Sequence, residues 1–116
     1  MSRSDRELLA DALSHLEVLR AHQARRDLDD QTVADAVCLR LSAAIEAVAS
    51  MSEDVRSDAF GEDWPLIWAT RNRIAHGYAF IDRTMIASTI DKDLPGFEST
   101  IRRLYDERSW RLESER

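Results

Sequence analysis

Hydrophobic residues recur every three or four positions along most of the chain, which is the spacing of an α-helix with one apolar side. The first such segment covers residues 4–26, and Ser4 with Glu7 has the pattern of a capping box at its start. Its regularly spaced apolar residues are Leu9, Ala12, Leu13, Leu16 and Leu19. The pattern predicts a long amphipathic helix.

A second helix is predicted beyond the polar stretch "DLDDQT", which interrupts the first pattern. Residues 33–51 again place apolar side chains at helical spacing, and many of these are small enough to allow close helix packing. Either Asp30 or Thr32 is suited to cap this helix. Residues 52–63 are mostly polar and predict a connection with one short helical turn.

Three further helices are predicted from the residues that begin and end them. Pro65 suits the first position of a third helix, and Gly77 suits the position just after its end. Asp82 can cap a fourth helix. Asp93 and Pro95 mark the start of a fifth helix, which reaches close to the end of the chain.

The whole pattern predicts an all-α fold. Strand-like alternation, internal repeats and linkers are absent, and the sequence has only 3 Gly and 2 Pro. We therefore expect a four- to five-helix up-down bundle. Its length of 116 residues suits one domain over residues 1–116, with the last few residues frayed.

Composition narrows the class of protein. The net charge of −6 argues against general nucleic-acid binding, so any contact with RNA requires a local basic patch. Cys38 is the only cysteine and is expected in the core, because it can form neither an internal disulfide nor a cysteine-rich metal site. We expect a cytoplasmic protein, since no signal peptide or apolar run of about 18 residues is visible.

One predicted helix carries a charge among apolar residues. When residues 64–78 are wound at about 100° per residue, Arg71 lies at the centre of an apolar arc. The arc contains Trp64, Ile67, Trp68, Ile74, Ala75 and Tyr78. An unpaired buried charge costs about 3–5 kcal/mol. Arg71 therefore needs a carboxylate such as Glu46 or Asp35, a ligand or a subunit boundary.

The residues around Arg71 suit cleavage of RNA by its own 2′-OH. This reaction needs proton transfer near neutral pH, for which His76 is suited, and a cation for the phosphoryl charge, for which Arg71 is suited. Asn72 can hydrogen-bond a phosphate or orient a side chain. Arg71 and His76 lie about 140° apart on an ideal helix. Either the helix loosens before Gly77, or a two-fold dimer brings a second copy opposite.

The stretch "RNRIAHGY" resembles the R-x4-H-x-Y motif of HepT-like proteins in the HEPN superfamily of helical domains. The second helix and the "WPLIWAT" that leads into the motif are also similar, and the resemblance covers roughly residues 8–105. One departure is that Met85, Ile86 and Ala87 stand where family members often carry a Trp. This difference bears on packing more than on chemistry.

The resemblance implies a HEPN-like bundle that forms a homodimer through the motif helix and acts as a metal-independent endoribonuclease toxin on RNA, such as tRNA or mRNA. It implies that Arg71 and His76 are catalytic and that Asn72 supports them. It also implies a partner, a small nucleotidyltransferase antitoxin of a two-gene toxin–antitoxin pair, which neutralises the toxin by adenylylating Tyr78. No cofactor is implied.

Several readings remain open from the residues alone. Arg73 and Arg83 are candidates for a basic rim that binds RNA, although scattered arginines usually belong to a solvated surface. No metal site is expected, because suitable Cys and His partners are lacking. A non-catalytic subunit that binds a nucleotide or a nucleotidyltransferase would use the same helices, with Arg71 holding a phosphate. A structural dimer with a degenerate site is a third reading.

Overall fold

The computed structural model describes the backbone of residues 3–76 and 82–114, and the side chains of residues 3–76 and 82–107. All regular structure in these residues is helical, which confirms the all-α prediction. In chain order the α-helices are α1 (Asp5–Arg25), α2 (Gln31–Ala49), α3 (Glu53–Phe60), α4 (Trp64–His76), α5 (Arg83–Lys92) and α6 (Leu94–Ser114), with a 3₁₀ turn at Gly61–Asp63.

Side-chain caps fix the starts of three helices. The Ser4 hydroxyl accepts a hydrogen bond from the Glu7 amide at 3.1 Å, which confirms the predicted cap of α1. Asp30, not Thr32, caps α2, because its carboxylate accepts from the Val33 amide. The Asp82 carboxylate accepts from the Thr84 amide at 2.8 Å and caps α5 as predicted. Each cap satisfies an amide that has no partner inside the helix.

The predicted polar connection contains α3, which is longer than the single turn expected. It begins next to α1, where the Ser52 amide and hydroxyl donate to the Asp5 carboxylate at 2.9 and 2.6 Å. The Arg56 guanidinium donates to the Ala49 carbonyl at the end of α2. Gly61 ends α3 with a φ of 50°, a conformation that favours glycine. These contacts with other helices stabilise a segment with few apolar residues.

The core lies between α1, α2 and α6, and α4 packs against α2. α3 lies against α4 and α6, while α5 packs against α6. The largest side chains with almost no exposed surface are Leu9, Leu16, Leu19, Ile45, Ile86, Leu94 and Ile101. Cys38 is also in the core, as expected. None of the helices in the described residues is both long and apolar enough to cross a bilayer.

Candidate active site

A row of aromatic rings connects α4 with the core. The Phe97 and Phe60 ring centres are 5.6 Å apart, and those of Phe60 and Trp64 are 6.0 Å apart. Trp64 stacks on Trp68 at 6.1 Å with an interplanar angle of 25°. We call these four residues the aromatic row. It leads from buried Phe97 and Phe60 to the half-buried tryptophans of α4 and so fixes the side of α4 that carries Trp68.

Arg71 lies on the outer end of the aromatic row. Its guanidinium carbon is 4.8 Å from the centre of the Trp68 ring, which is within the range of a cation–π contact. Only 23% of the Arg71 side chain is exposed. Within the predicted apolar arc, Ile74 is buried but Ala75 is exposed. The apolar arc is therefore only partly buried in a single chain, and Arg71 lies at the border of its buried part.

Glu46 of α2 is the carboxylate partner of Arg71. Its Oε1 accepts from Nη2 at 2.6 Å and from Nε at 2.9 Å. The sequence left Glu46 and Asp35 open as partners, and the geometry selects Glu46. About half of the Glu46 side chain remains exposed, so the pair is at the surface and not in the core.

Asn72 is the third contact of Arg71. Its Oδ1 accepts from Arg71 Nη1 at 3.1 Å, so the side chain orients the guanidinium, one of the two roles expected for it. Arginine has five N–H donors, and Glu46 with Asn72 accepts from three of them. Among the described residues no acceptor is found for the other two. They are available to the two oxygens of a phosphate.

His76 lies at the end of the same helix and is exposed. α4 continues through His76, so the described backbone does not loosen before that residue. An unbroken helix separates Arg71 and His76 by about 140° around its axis. Asn72 lies one turn before His76 and shares its side of the helix. Gly77 and Tyr78, the predicted end of this helix and the candidate modification site, lie outside the described residues.

The two arginines predicted to bind RNA lie away from Arg71. The Nη1 of Arg73 contacts the Met85 sulfur of α5 at 3.6 Å, on nearly the opposite side of α4 from Arg71. Arg83 donates to the Asp29 carbonyl at 2.7 Å and to the Gln31 side chain. Gln31 and Glu46 are separated by about 22 Å along α2. Within one chain, Arg83 and Arg71 therefore do not form one basic patch.

The sequence matches a known family model over most of its length. Residues 9–104 match the model described as ribonuclease HepT-like. The chain belongs to the HepT-like family. The match includes all of α4 and agrees with the predicted resemblance over roughly residues 8–105. Neither the search of curated proteins nor the search of solved structures returned a match.

The described residues of this HepT-like chain contain no group of three or more His, Cys, Asp or Glu side chains placed to hold a metal ion. Burial raises the pKa of the Cys38 thiol to about 11, with a smaller contribution from Asp35. A thiol with so high a pKa is almost entirely protonated at neutral pH and is a poor nucleophile. Cys38 is therefore a packing residue of the core.

Sequence reasoning placed Trp68 in the apolar arc and gave it no part in the site, but in this HepT-like chain it supports Arg71. Its position three residues before Arg71 was a usable signal, because residues at this spacing are neighbours on a helix surface. Glu46 has no comparable local signal. It is 25 residues from Arg71 along the chain and reaches it only because α2 and α4 pack together.

Proposed function

We propose that the protein is a metal-independent endoribonuclease in which the RNA 2′-OH attacks the neighbouring phosphorus. The observation that carries this proposal is the Arg71 guanidinium, which rests on Trp68 and has two N–H groups left for a phosphate. Preorganised donors of this kind stabilise the charge that develops on phosphoryl oxygens. Membership of a ribonuclease family supports the same reaction.

In the proposed reaction the 2′-oxygen forms a bond to phosphorus as its proton is removed. The bond from phosphorus to the 5′-oxygen breaks, and that oxygen takes up a proton. His76 moves these protons, Arg71 stabilises the phosphoryl oxygens and Asn72 keeps Arg71 oriented. His76 is exposed, and an imidazole is the side chain best suited both to accept and to donate a proton near neutral pH.

The active unit in this proposal is a homodimer formed through α4. The unbroken helix directs Arg71 and His76 to different sides, which favours a cleft built from Arg71 of one copy and His76 of the other. The exposed Ala75 leaves room for a second copy of α4 to approach. This arrangement would also bring two Arg71 side chains to one RNA-binding cleft and so offset the acidic net charge of the chain.

The direct experiment is to incubate purified protein with tRNA in excess EDTA and to analyse the ends of the products. We expect cleavage that leaves 2′,3′-cyclic phosphate or 3′-phosphate ends, and no cleavage by a folded His76→Ala dimer. Intact tRNA after incubation with a folded, unmodified wild-type dimer would exclude the proposed activity on this substrate. Total RNA in a parallel reaction tests whether mRNA is the target instead.

We further propose that a nucleotidyltransferase antitoxin neutralises the protein by adenylylating Tyr78. The tyrosine oxygen would attack the α-phosphorus of ATP, lose its proton and displace pyrophosphate. The added AMP brings negative charge and bulk next to the motif, which would repel and obstruct RNA. If a nucleotidyltransferase is encoded next to the gene, co-expression with it should add the mass of one AMP to the wild type and none to Tyr78→Phe.

A binding subunit is the second candidate. The specific observation in its favour is the Glu46 carboxylate, which already compensates the charge of Arg71. In that case Arg71 would hold a nucleotide phosphate for a partner enzyme and RNA would not be cleaved. Expression of the protein alone separates the two candidates. The nuclease should arrest growth and lose this effect in Arg71→Ala, whereas a binding subunit should be harmless.

A further inference from the structure

Glu46 binds one edge of the Arg71 guanidinium and leaves another edge open. Nε and Nη2 both donate to Oε1 of Glu46, at 2.9 and 2.6 Å, and these two nitrogens form the side of the planar group. The end of the group is formed by Nη1 and Nη2. An N–H on each of these nitrogens has no acceptor among the described residues, once the contact with Asn72 is counted.

Three contacts fix the plane and the direction of this open end. Trp68 supports the face of the guanidinium at 4.8 Å, Glu46 holds its side, and Asn72 holds Nη1 at 3.1 Å. A long arginine side chain otherwise samples many rotamers, and their loss opposes ordered binding. A group that is already oriented needs less reorganisation when charge develops on a phosphoryl oxygen.

We propose that Glu46 is a positioning residue for catalysis, which aims the open end of Arg71 at the scissile phosphate. This inference rests on the proposed ribonuclease function. The carboxylate acts through Arg71 and does not contact the RNA. Its negative charge weakens the attraction of Arg71 for RNA in the ground state. Its hydrogen bonds hold the guanidinium in a fixed orientation, which favours the transition state.

The geometry and the charge of Glu46 should have separate effects on the reaction. Geometry should affect kcat, since misplacement of a catalytic group by about 1 Å can cost about 10²-fold. Charge should affect RNA affinity, because Glu46 offsets the positive charge of Arg71 in the uncleaved complex. A pair with a merely structural role would change neither quantity and would alter only the stability of the fold.

Three variants test the two effects. Glu46→Gln keeps an oxygen at the same reach and removes the charge. We expect its kcat to stay within about threefold of wild type and its Kd for a 2′-O-methyl oligoribonucleotide, which cannot be cleaved, to fall severalfold. Glu46→Asp keeps the charge but is one methylene too short. We expect its kcat to fall about tenfold to a hundredfold with little change in Kd. Glu46→Ala should show both changes.

The Arg103–Glu107 pair provides the matched control. Glu107 is exposed to a similar extent as Glu46, with 46% against 49% of its side chain, and accepts from Arg103 at 3.2 Å on α6. Glu107→Asp should leave kcat and Kd unchanged. The ¹⁵Nε–¹H signal of Arg71, assigned from its loss in Arg71→Lys, reports orientation without relying on activity. It should be retained in Glu46→Gln and exchange faster with water in Glu46→Asp.

The outcomes distinguish this inference from the function on which it rests. A folded Glu46→Asp protein with the kcat of the wild type would overturn the positioning role, and so would a Glu46→Ala protein that cleaves faster. Wild-type protein that leaves both tRNA and total RNA intact would instead contradict the ribonuclease function itself.

Discussion

The guanidinium carbon of Arg71 lies 4.8 Å from the centre of the Trp68 ring, three residues earlier on α4. This contact resolves the apparent conflict of an arginine among apolar residues. The flat face of the cation covers an aromatic surface, while its edges meet Glu46, Asn72 and solvent. Arginine suits such a place better than lysine does, because its charge is spread over a planar and weakly hydrated group.

Replacement of Trp68 should show how much its contact with Arg71 contributes to kcat. A cation–π contact at a partly exposed site contributes about 0.5–1 kcal/mol, which corresponds to a two- to fivefold change. We expect Trp68→Leu to lower kcat for RNA cleavage by about this factor and Trp68→Phe to retain most of it. Steady-state cleavage assays on the folded dimers measure the effect. Equal losses in the two variants would argue against a role for the aromatic face.

Mixed dimers test whether the site is shared between two chains. Arg71→Ala and His76→Ala homodimers should both be inactive. A heterodimer of the two variants keeps one site with Arg71 from one chain and His76 from the other. Random mixing should therefore restore about a quarter of wild-type activity, since half of the dimers carry one intact site of two. If each chain supplied its own complete site, mixing would restore nothing.

Phe60 should be essential for stability, because it joins the buried and half-buried parts of the aromatic row. Truncation of a buried aromatic residue typically costs about 3–5 kcal/mol. We expect Phe60→Ala to lower the free energy of unfolding by an amount in this range, as measured by urea denaturation. Phe60→Leu preserves most of the volume and should cost clearly less. A loss below about 1 kcal/mol for Phe60→Ala would contradict this packing role.

Cys38 should resist alkylation in the native protein. Its pKa of about 11 lies above that of an ordinary thiol, so the thiolate is scarce at pH 8 and burial hinders the reagent. We expect iodoacetamide to label Cys38 at pH 8 only after unfolding. Because the folded pKa is raised, the contribution of this group to stability is complete below the unfolded pKa near 9 and declines as the pH rises towards 11. Rapid native labelling at pH 8 would show that the thiol is accessible.

Arg73 and Arg83 should respond differently to truncation. Arg83 ties the start of α5 to the loop before α2 through the Asp29 carbonyl, so Arg83→Ala should lower stability by about 1 kcal/mol. Arg73 is exposed, and its described contact is with the Met85 sulfur. Arg73→Ala should leave stability unchanged and, if it contacts a phosphate, reduce the salt dependence of RNA binding by about one unit. Unfolding and binding titrations on the same samples distinguish the two roles.

The helices were largely predictable because their signals are local. Ser4, Asp30 and Asp82 each satisfy an amide two or three residues away. The apolar spacing of α1 and α2 is visible within each segment alone. The length of α3 was underestimated because the contacts that stabilise this helix are not local. The bonds from Ser52 to Asp5 and from Arg56 to Ala49 join segments that the sequence pattern does not relate.

The sequence by itself determined the all-α fold and placed Arg71, Asn72 and His76 in one motif, because helical spacing and chemical type are properties of neighbouring residues. It also showed that Arg71 needs a carboxylate, a ligand or a subunit boundary beside it. Only the tertiary structure decided that the partner is the Glu46 carboxylate, that Trp68 supports the cation and that Arg83 contacts the start of α2, far from Glu46. These relations depend on which helices pack together, since burial of the apolar faces brings residues distant in sequence into contact.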